Sequence, residues 1–379
     1  MISGHYLAER AMPFDPELSG REHAEADAVS ADYDRRAARD AEALAAREAD
    51  VVERGRREAR GLVGAENWLA LQRRVREERR AFHDALQPPA GLTASYEALV
   101  ADRRATLRKY VEELDIDTGR LRELRDRVAV ELTGLRPADG AQSEGFASWL
   151  EPDRMLTTAD VGTAGAGTHD DPHAWFTFRA PFPGFQSGFG PGNNTGAFRT
   201  SANRITNTAS GQVGYDLMTD NNDASDVDQG GGTVDAQMAF RFRAPATGQV
   251  EIQIDARSDE CLHQLRTVDE FGFSSSSTEQ RNFLMAHVVH PAVNGPSTAL
   301  MSRFVWNTDD DSFVQRRFLQ LGGLFGARLR SNGTVRQGDV FDIRAGTRGI
   351  DGIITNDVSI HSLSSFRWTL QGVFVRIAP

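Results

Sequence analysis

Three short stretches hold the residue types best suited to chemistry. His169-Asp170-Asp171-Pro172-His173 sets two imidazoles four residues apart with carboxylates between them. His169, Asp171 and His173 would share a metal ion if Pro172 turned the backbone back on itself, since imidazole and carboxylate together suit a transition metal. A polar loop entering a strand at Ala174 is the plainer alternative. Asp216, Asp220, Asn222, Asp226 and Asp228 run up to Gly230-Gly231-Gly232, and hard cations such as calcium take six to eight oxygens. The stretch from Asp226 to Gly231 echoes a calcium loop, but Gln237 stands where its bidentate glutamate belongs, so a solvated turn competes with the calcium reading. Cys261-Leu262-His263 raises a thiol nucleophile against the commoner role of cysteine as a small buried hydrophobe.

Trp175 and Trp306 are the aromatic residues that would stack on a sugar ring in a lectin-like surface. The other histidines are weaker candidates. His287 and His290 flank Val288-Val289 on an apolar strand and read as packing or rim residues.

Composition removes several reaction classes. Of 43 basic residues, 42 are arginine and only Lys109 is lysine. Lys109 lies between Arg108 and Tyr110 and follows no glycine-rich loop, which excludes a Walker-type phosphate site. No Gly-x-Ser-x-Gly elbow occurs. One cysteine excludes an intrachain disulfide and a cysteine-built zinc site. The formal charge of −11 argues against nucleic acid as a partner. No apolar run reaches the 18 or so residues of a membrane span, so no membrane insertion is expected. The N-terminus lacks the basic and apolar regions of a secretory signal, which implies a chain made in the cytoplasm. No cofactor is implied apart from calcium.

The elements that would position these residues divide near residue 138. Only Phe14 and Phe82 precede residue 140, and 19 of the 21 phenylalanines follow it. The first part, 1–137, reads as a helical or coiled-coil arm behind an extended segment at 1–20. Residues 21–60 are mostly Ala, Arg, Glu and Asp, which favour helix but offer only a thin apolar stripe. Residues 65–86 carry Trp68, Leu71, Val75, Phe82 and Leu86 on one helical face, and Pro88-Pro89 end that helix. Beyond it, Val100, Leu107, Leu114, Leu121, Val128 and Leu135 recur every seven residues. This row suits an oligomerisation seam, with a trimer favoured, or an antiparallel hairpin within one chain in which 65–86 packs on 93–117.

Residues 138–232 read as a Gly-, Pro- and Phe-rich transition with short strands. From 233 to 379 the period becomes two. Val234, Ala236, Met238, Phe240 and Phe242 alternate with polar residues, as do Val250, Ile252, Ile254 and Ala256 after a turn at 244–248. The pair is expected to form a hairpin. Further strands are expected at 282–290, 299–307, 313–319, 324–330, 338–344 and 366–377, with a bulge at Gly372 where the apolar parity switches. The fold class is therefore α+β in separate domains, a helical arm followed by an antiparallel β-sandwich, with a jelly roll the favoured arrangement.

That order of parts suggests a non-enzymatic structural or adhesive protein. The arm anchors or self-associates and the head is displayed, as in an appendage of a virion or other assembled particle, with other particle proteins as partners. A lectin-like carbohydrate-binding protein is the first alternative and a metal-dependent enzyme the second.

Overall fold

The computed structural model describes residues 7–11, 18–71, 73–74, 77, 105–106, 109–135, 175–191, 194, 198–221, 227–269, 275–293, 297–308, 312–317, 324–356 and 358–379. It has one long N-terminal helix, α1 (Gly20–Val63), a later helix, α2 (Thr118–Leu135), further helical residues at 65–71 and 109–113 between them, and two antiparallel sheets. The first sheet orders its strands as β1 (Leu7–Ala11), β3 (Gly184–Pro191), β6 (Val227–Arg243), β12 (Val340–Asn356), β8 (Ser275–Val289) and β9 (Ser297–Thr308). The second runs β10 (Ser312–Arg317), β7 (Gly248–Asp269), β13 (Val358–Ala378), β5 (Gln212–Asn221) and β4 (Phe198–Asn207). Two more strands extend it, β11 (Leu324–Val335) on β7 and β2 (Phe176–Phe178) on β13.

The apolar parity of the central strands points between the sheets, where Met238, Phe240, Ile254, Ile343, Phe366 and Trp368 are fully buried. β6 and β7 have the alternation expected of them, but they do not form a hairpin. β6 pairs with β3 and β12 in one sheet, while β7 pairs with β13, β11 and β10 in the other. Their apolar faces meet across the core. Alternation fixes which face a strand buries, not which strand lies beside it. The register shift at Gly372 is present, between Leu370 and Gly372.

The sandwich starts well before 233. β2 to β5 lie in what reads as a transition, and Leu7–Ala11, in the segment read as extended, closes the edge of β3. Glycines there serve close backbone approach. At Gly231 φ is +142°, and a Cβ would sit 2.1 Å from the Asp351 carbonyl oxygen.

α1 begins with a capping box, in which the Glu22 amide donates to Ser19 Oγ and the Ser19 amide to Glu22 Oε2. Its first half lies on the outer face of the first sheet, so the arm is not separate from the head over these residues. The contact is ionic. Arg241, 1% exposed, donates to Asp342 Oδ1 (2.8 Å), Asp27 Oδ1 (2.7 Å) and His23 Nδ1 (2.7 Å). Arg344 pairs with Asp34 (2.8 Å), Tyr33 meets His287 edge to face, and Gln229 donates to Glu48 (2.9 Å). That is why residues 21–60 have so few large apolar side chains.

The second half of α1 packs on α2. Val51, Val52, Ala59 and Val63 bury against Leu121, Leu124 and Val128, and the helices cross closely at Gly55, where a Cβ would approach Val128 Cγ2 to 2.9 Å. Of the heptad row, Leu121 and Val128 therefore pack on α1 of the same chain and Leu114 joins the same cluster, so the observed pairing is 20–63 with 118–135 rather than 65–86 with 93–117. Leu135 ends α2, and Val100 and Leu107 lie outside the described residues. No helix among the described residues is long and apolar enough to cross a membrane.

Candidate functional site

Whereas the first sheet's outer face is covered by α1, the outer face of the second carries a platform built by β2, β13, β7 and β11. On β7, Val250, Ile252, Ile254 and Ala256 point into the core, which turns Glu251, Gln253 and Asp255 outward. After the bulge, β13 buries Val373, Val375 and Ile377 and turns Phe374 and Arg376 out. In β2, Phe176 and Phe178 pack on Phe242 and Phe240, leaving Trp175 and Thr177 on the outer side. β11 buries Ala327 and Leu329 and presents Arg328 and Arg330.

The register aligns these residues in three rows. Trp175 lies beside Arg376, which faces Glu251, which faces Arg330. In the next row stand Thr177, Phe374, Gln253 and Arg328. In the third, Asp255 lies between Gly372 and Gly326, with no side chain at either hand.

Glu251 organises the first row. Its Oε2 accepts from Arg376 Nε (2.7 Å) and Arg328 Nη2 (2.9 Å), and Arg330 Nε lies 3.7 Å from Oε1. Burial raises the Glu251 carboxyl, but the hydrogen bonds from Arg328 and Arg376 outweigh it and hold it below the usual carboxylate range. Both arginines also sit over the half-buried Trp175 ring, at 4.8 Å for Arg376 and 5.4 Å for Arg328. The ring and the two guanidinium groups thus brace one another. Asp255 behaves differently. Burial raises its carboxyl, opposed by the Gln253 hydrogen bond (3.0 Å) and the nearby Arg179 charge. The platform carries a part-buried aromatic ring, planar arginine donors in fixed positions and the part-buried Asp255 carboxylate, while Glu251, Gln253 and Phe374 between them are buried.

Of the other residues singled out by sequence, several lie elsewhere. Trp306 stacks on Phe304 (6.2 Å) against the small cluster of Phe198, Leu265, Ile353 and Ile360, away from the platform. Asp216 and Asp220 are not in a loop. They point outward from β5 about 13 Å apart along the strand, each already engaged. Asp216 accepts from Asn203 (3.2 Å), Ser365 (2.6 Å) and Arg367 (3.3 Å), and Asp220 pairs with His361 (2.8 Å). They do not converge on one cation. Asp228 is in β6 opposite Thr355. Asn222 and Asp226 lie outside the described residues, as do His169, Asp171 and His173. Among the described residues, no group of three or more His, Cys, Asp or Glu is placed to hold a metal.

Cys261 is buried in the core. His263 hydrogen-bonds Ser364 Oγ (3.0 Å) and Ser302 Oγ (3.1 Å), and burial pushes its pKa down to about 3. His287 is likewise held well below its ordinary value by burial, then by Arg348 and Arg344. These are neutral packing residues. Trp175 was singled out in the sequence as a ring for stacking, and the structure sets it beside Glu251, Arg328 and Arg376, which the sequence did not single out. Their outward parity was readable, whereas the strands that bring them together are far apart in the chain.

No family model and no curated protein matches the chain. Among solved structures it is similar to TmCBM61 in complex with β-1,4-galactotriose, at 8% identity over 43% of this chain and 86% of that one, with a TM-score of 0.14. It is also similar to the enzymatically active domain of bacteriophage CBA120 tailspike protein 4, at 7% identity over 56% of this chain and 22% of that one, with a TM-score of 0.14. A CBM4 structure is similar at 8% identity over 57% of this chain and all of that one, with a TM-score of 0.10.

Proposed function

We propose that the chain is a non-enzymatic adhesive or structural protein of an assembled particle, whose helical hairpin anchors or self-associates and whose sandwich displays the β2–β13–β7–β11 platform to carbohydrate. The chain's repeated passage from one sheet to the other supports a jelly-roll connection for this head. One observation carries the reading. The two outer faces of the sandwich are treated differently: α1 packs on β6, β8 and β12 of the first sheet, whereas among the described residues no helix lies on the second, which carries a braced tryptophan among fixed donors. A ring for stacking beside planar hydrogen-bonding groups is what a sugar face needs. A glycan array probed with the full chain and with Trp175→Ala tests this. Glycan signals that vanish in the variant support it, and signals that persist overturn the placement. Sedimentation of the full chain tests self-association; a mass equal to one chain removes that part of the proposal.

A further inference from the structure

Resting on the carbohydrate reading, we infer that the platform selects an anionic glycan, with an acid group received by Arg328 and Arg376 and a sugar ring set against Trp175. The first reason is local charge. Among the described residues, Arg179, Arg328, Arg330 and Arg376 gather around the carboxylates of Glu251 and Asp255, in a chain whose net charge is −11. A positive island in an acidic protein marks a place for an anion and repels large polyanions elsewhere.

The second reason is donor count. A guanidinium carries five N–H groups in a planar fork. Glu251 takes Nε and Nη2 of Arg376 and Nη2 of Arg328. The Nη1 group of each arginine has no role in that cluster, and the side chains are 32% and 52% exposed. Glu251 thereby aims the arginines without exhausting them, and a planar acid group is the partner the fork fits best.

The third reason is extent. Trp175, Arg376, Glu251 and Arg330 occupy four adjacent strands in one row, which spans about 14 Å at the usual strand spacing. A free anion fills one point of that row. An oligosaccharide bearing acid groups fills its length.

The test is calorimetric titration of the full chain with three probes: galacturonate oligomers, the same oligomers with their carboxyl groups reduced, and a sulfated galactan oligomer that carries no uronic acid. Binding of one or both acidic probes is expected, weakening as salt is raised, with the reduced oligomer about tenfold or more weaker. Which acidic probe binds separates carboxylate from sulfate as the source of charge. Arg328→Gln with Arg376→Gln should remove that preference, and Arg328→Gln alone should halve it or more if the double variant does not fold. Equal affinity for the reduced oligomer, or a preference that survives in the folded variants, overturns the anion inference and leaves the carbohydrate reading standing. Failure of all three probes overturns both.

Discussion

The two outer faces of the sandwich are furnished with the same residue types and put them to different ends. On the first sheet Arg241, Arg344 and Arg348 alternate with Asp235 and Asp342, and α1 supplies Asp27, Asp34 and His23 to complete the pairs. Arg241 is 1% exposed and Asp342 3%. On the second sheet Arg328, Arg330 and Arg376 gather around Glu251 and nothing described seals them. Arginine serves both because its fork is planar and always charged. The cover decides the outcome. Under a helix, ion pairs lose their water and become cement; in the open, the same pairs hold each other in position and keep donors to spare.

The largest effect should come from breaking the covered face. Arg241→Leu leaves Asp342 buried without its cation, which should lower stability by about 3–5 kcal/mol in urea unfolding. Arg328→Leu on the open face should lower it by less than about 1 kcal/mol. Equal losses would dissolve the distinction between the faces.

Acid comes next. His263 and His287 are neutral in the folded state and take a proton in the unfolded chain below about pH 6.5. The unfolded state then binds more protons, so stability is full above that pH and falls as pH drops toward the depressed folded pKa values. His263 alone should cost about 3 kcal/mol by pH 4. His287 lies under Tyr33 at 3.3 Å, so hydrogen exchange in the first half of α1 should accelerate over the same window. A stability curve flat from pH 7 to 4 would show these histidines to be hydrated.

Truncation in the hairpin should cost less and stay local. Leu124→Ala should remove about 2–3 kcal/mol, with exchange rising at 51–63 and glycan binding unaffected. Loss of binding would mean that the hairpin and the platform are coupled. Trp175→Ala should have the smallest thermodynamic effect, under about 1 kcal/mol, since the ring lies on the outer face outside the core between the sheets. Its effect belongs to binding. A fall in melting temperature as large as that of Arg241→Leu would make Trp175 a structural pillar.

Much of the sandwich was legible in sequence, because alternation reports a buried face directly. The parity of Val234 to Phe242 and of Val250 to Ala256, and the switch at Gly372, hold in the structure. Neighbours were not legible. Glu251 meets Arg376 and Arg328 only because β7 lies between β13 and β11, a fact that no local pattern contains. The docking of α1 was hidden for another reason. A helix face of Asp, Ser and His reads as solvated unless the opposing arginines are known. Asp216 and Asp220 were read as loop because aspartate is depleted in strands. Here each faces outward to a partner on β13. The heptad row recurs every seven residues whether its partner is another chain or α1, so spacing alone left that choice open.

β13, the last strand in chain order, is the spine of the second sheet, pairing with β7 on one side and with β5 and β2 on the other. Its contacts reach far back. Ser364 meets His263 across 101 residues, Arg376 meets Glu251 across 125, and Ser365 meets Asp216 across 149. Pairings this distant must close large loops before they give any stability, which makes folding slow. While Val358 to Ala378 are still being synthesised, β5 and β7 have open edges of the kind that recruit strands from other molecules. The head is therefore most exposed to aggregation just before its final strand arrives, and its yield in a cell should depend on what guards those two edges in the interval.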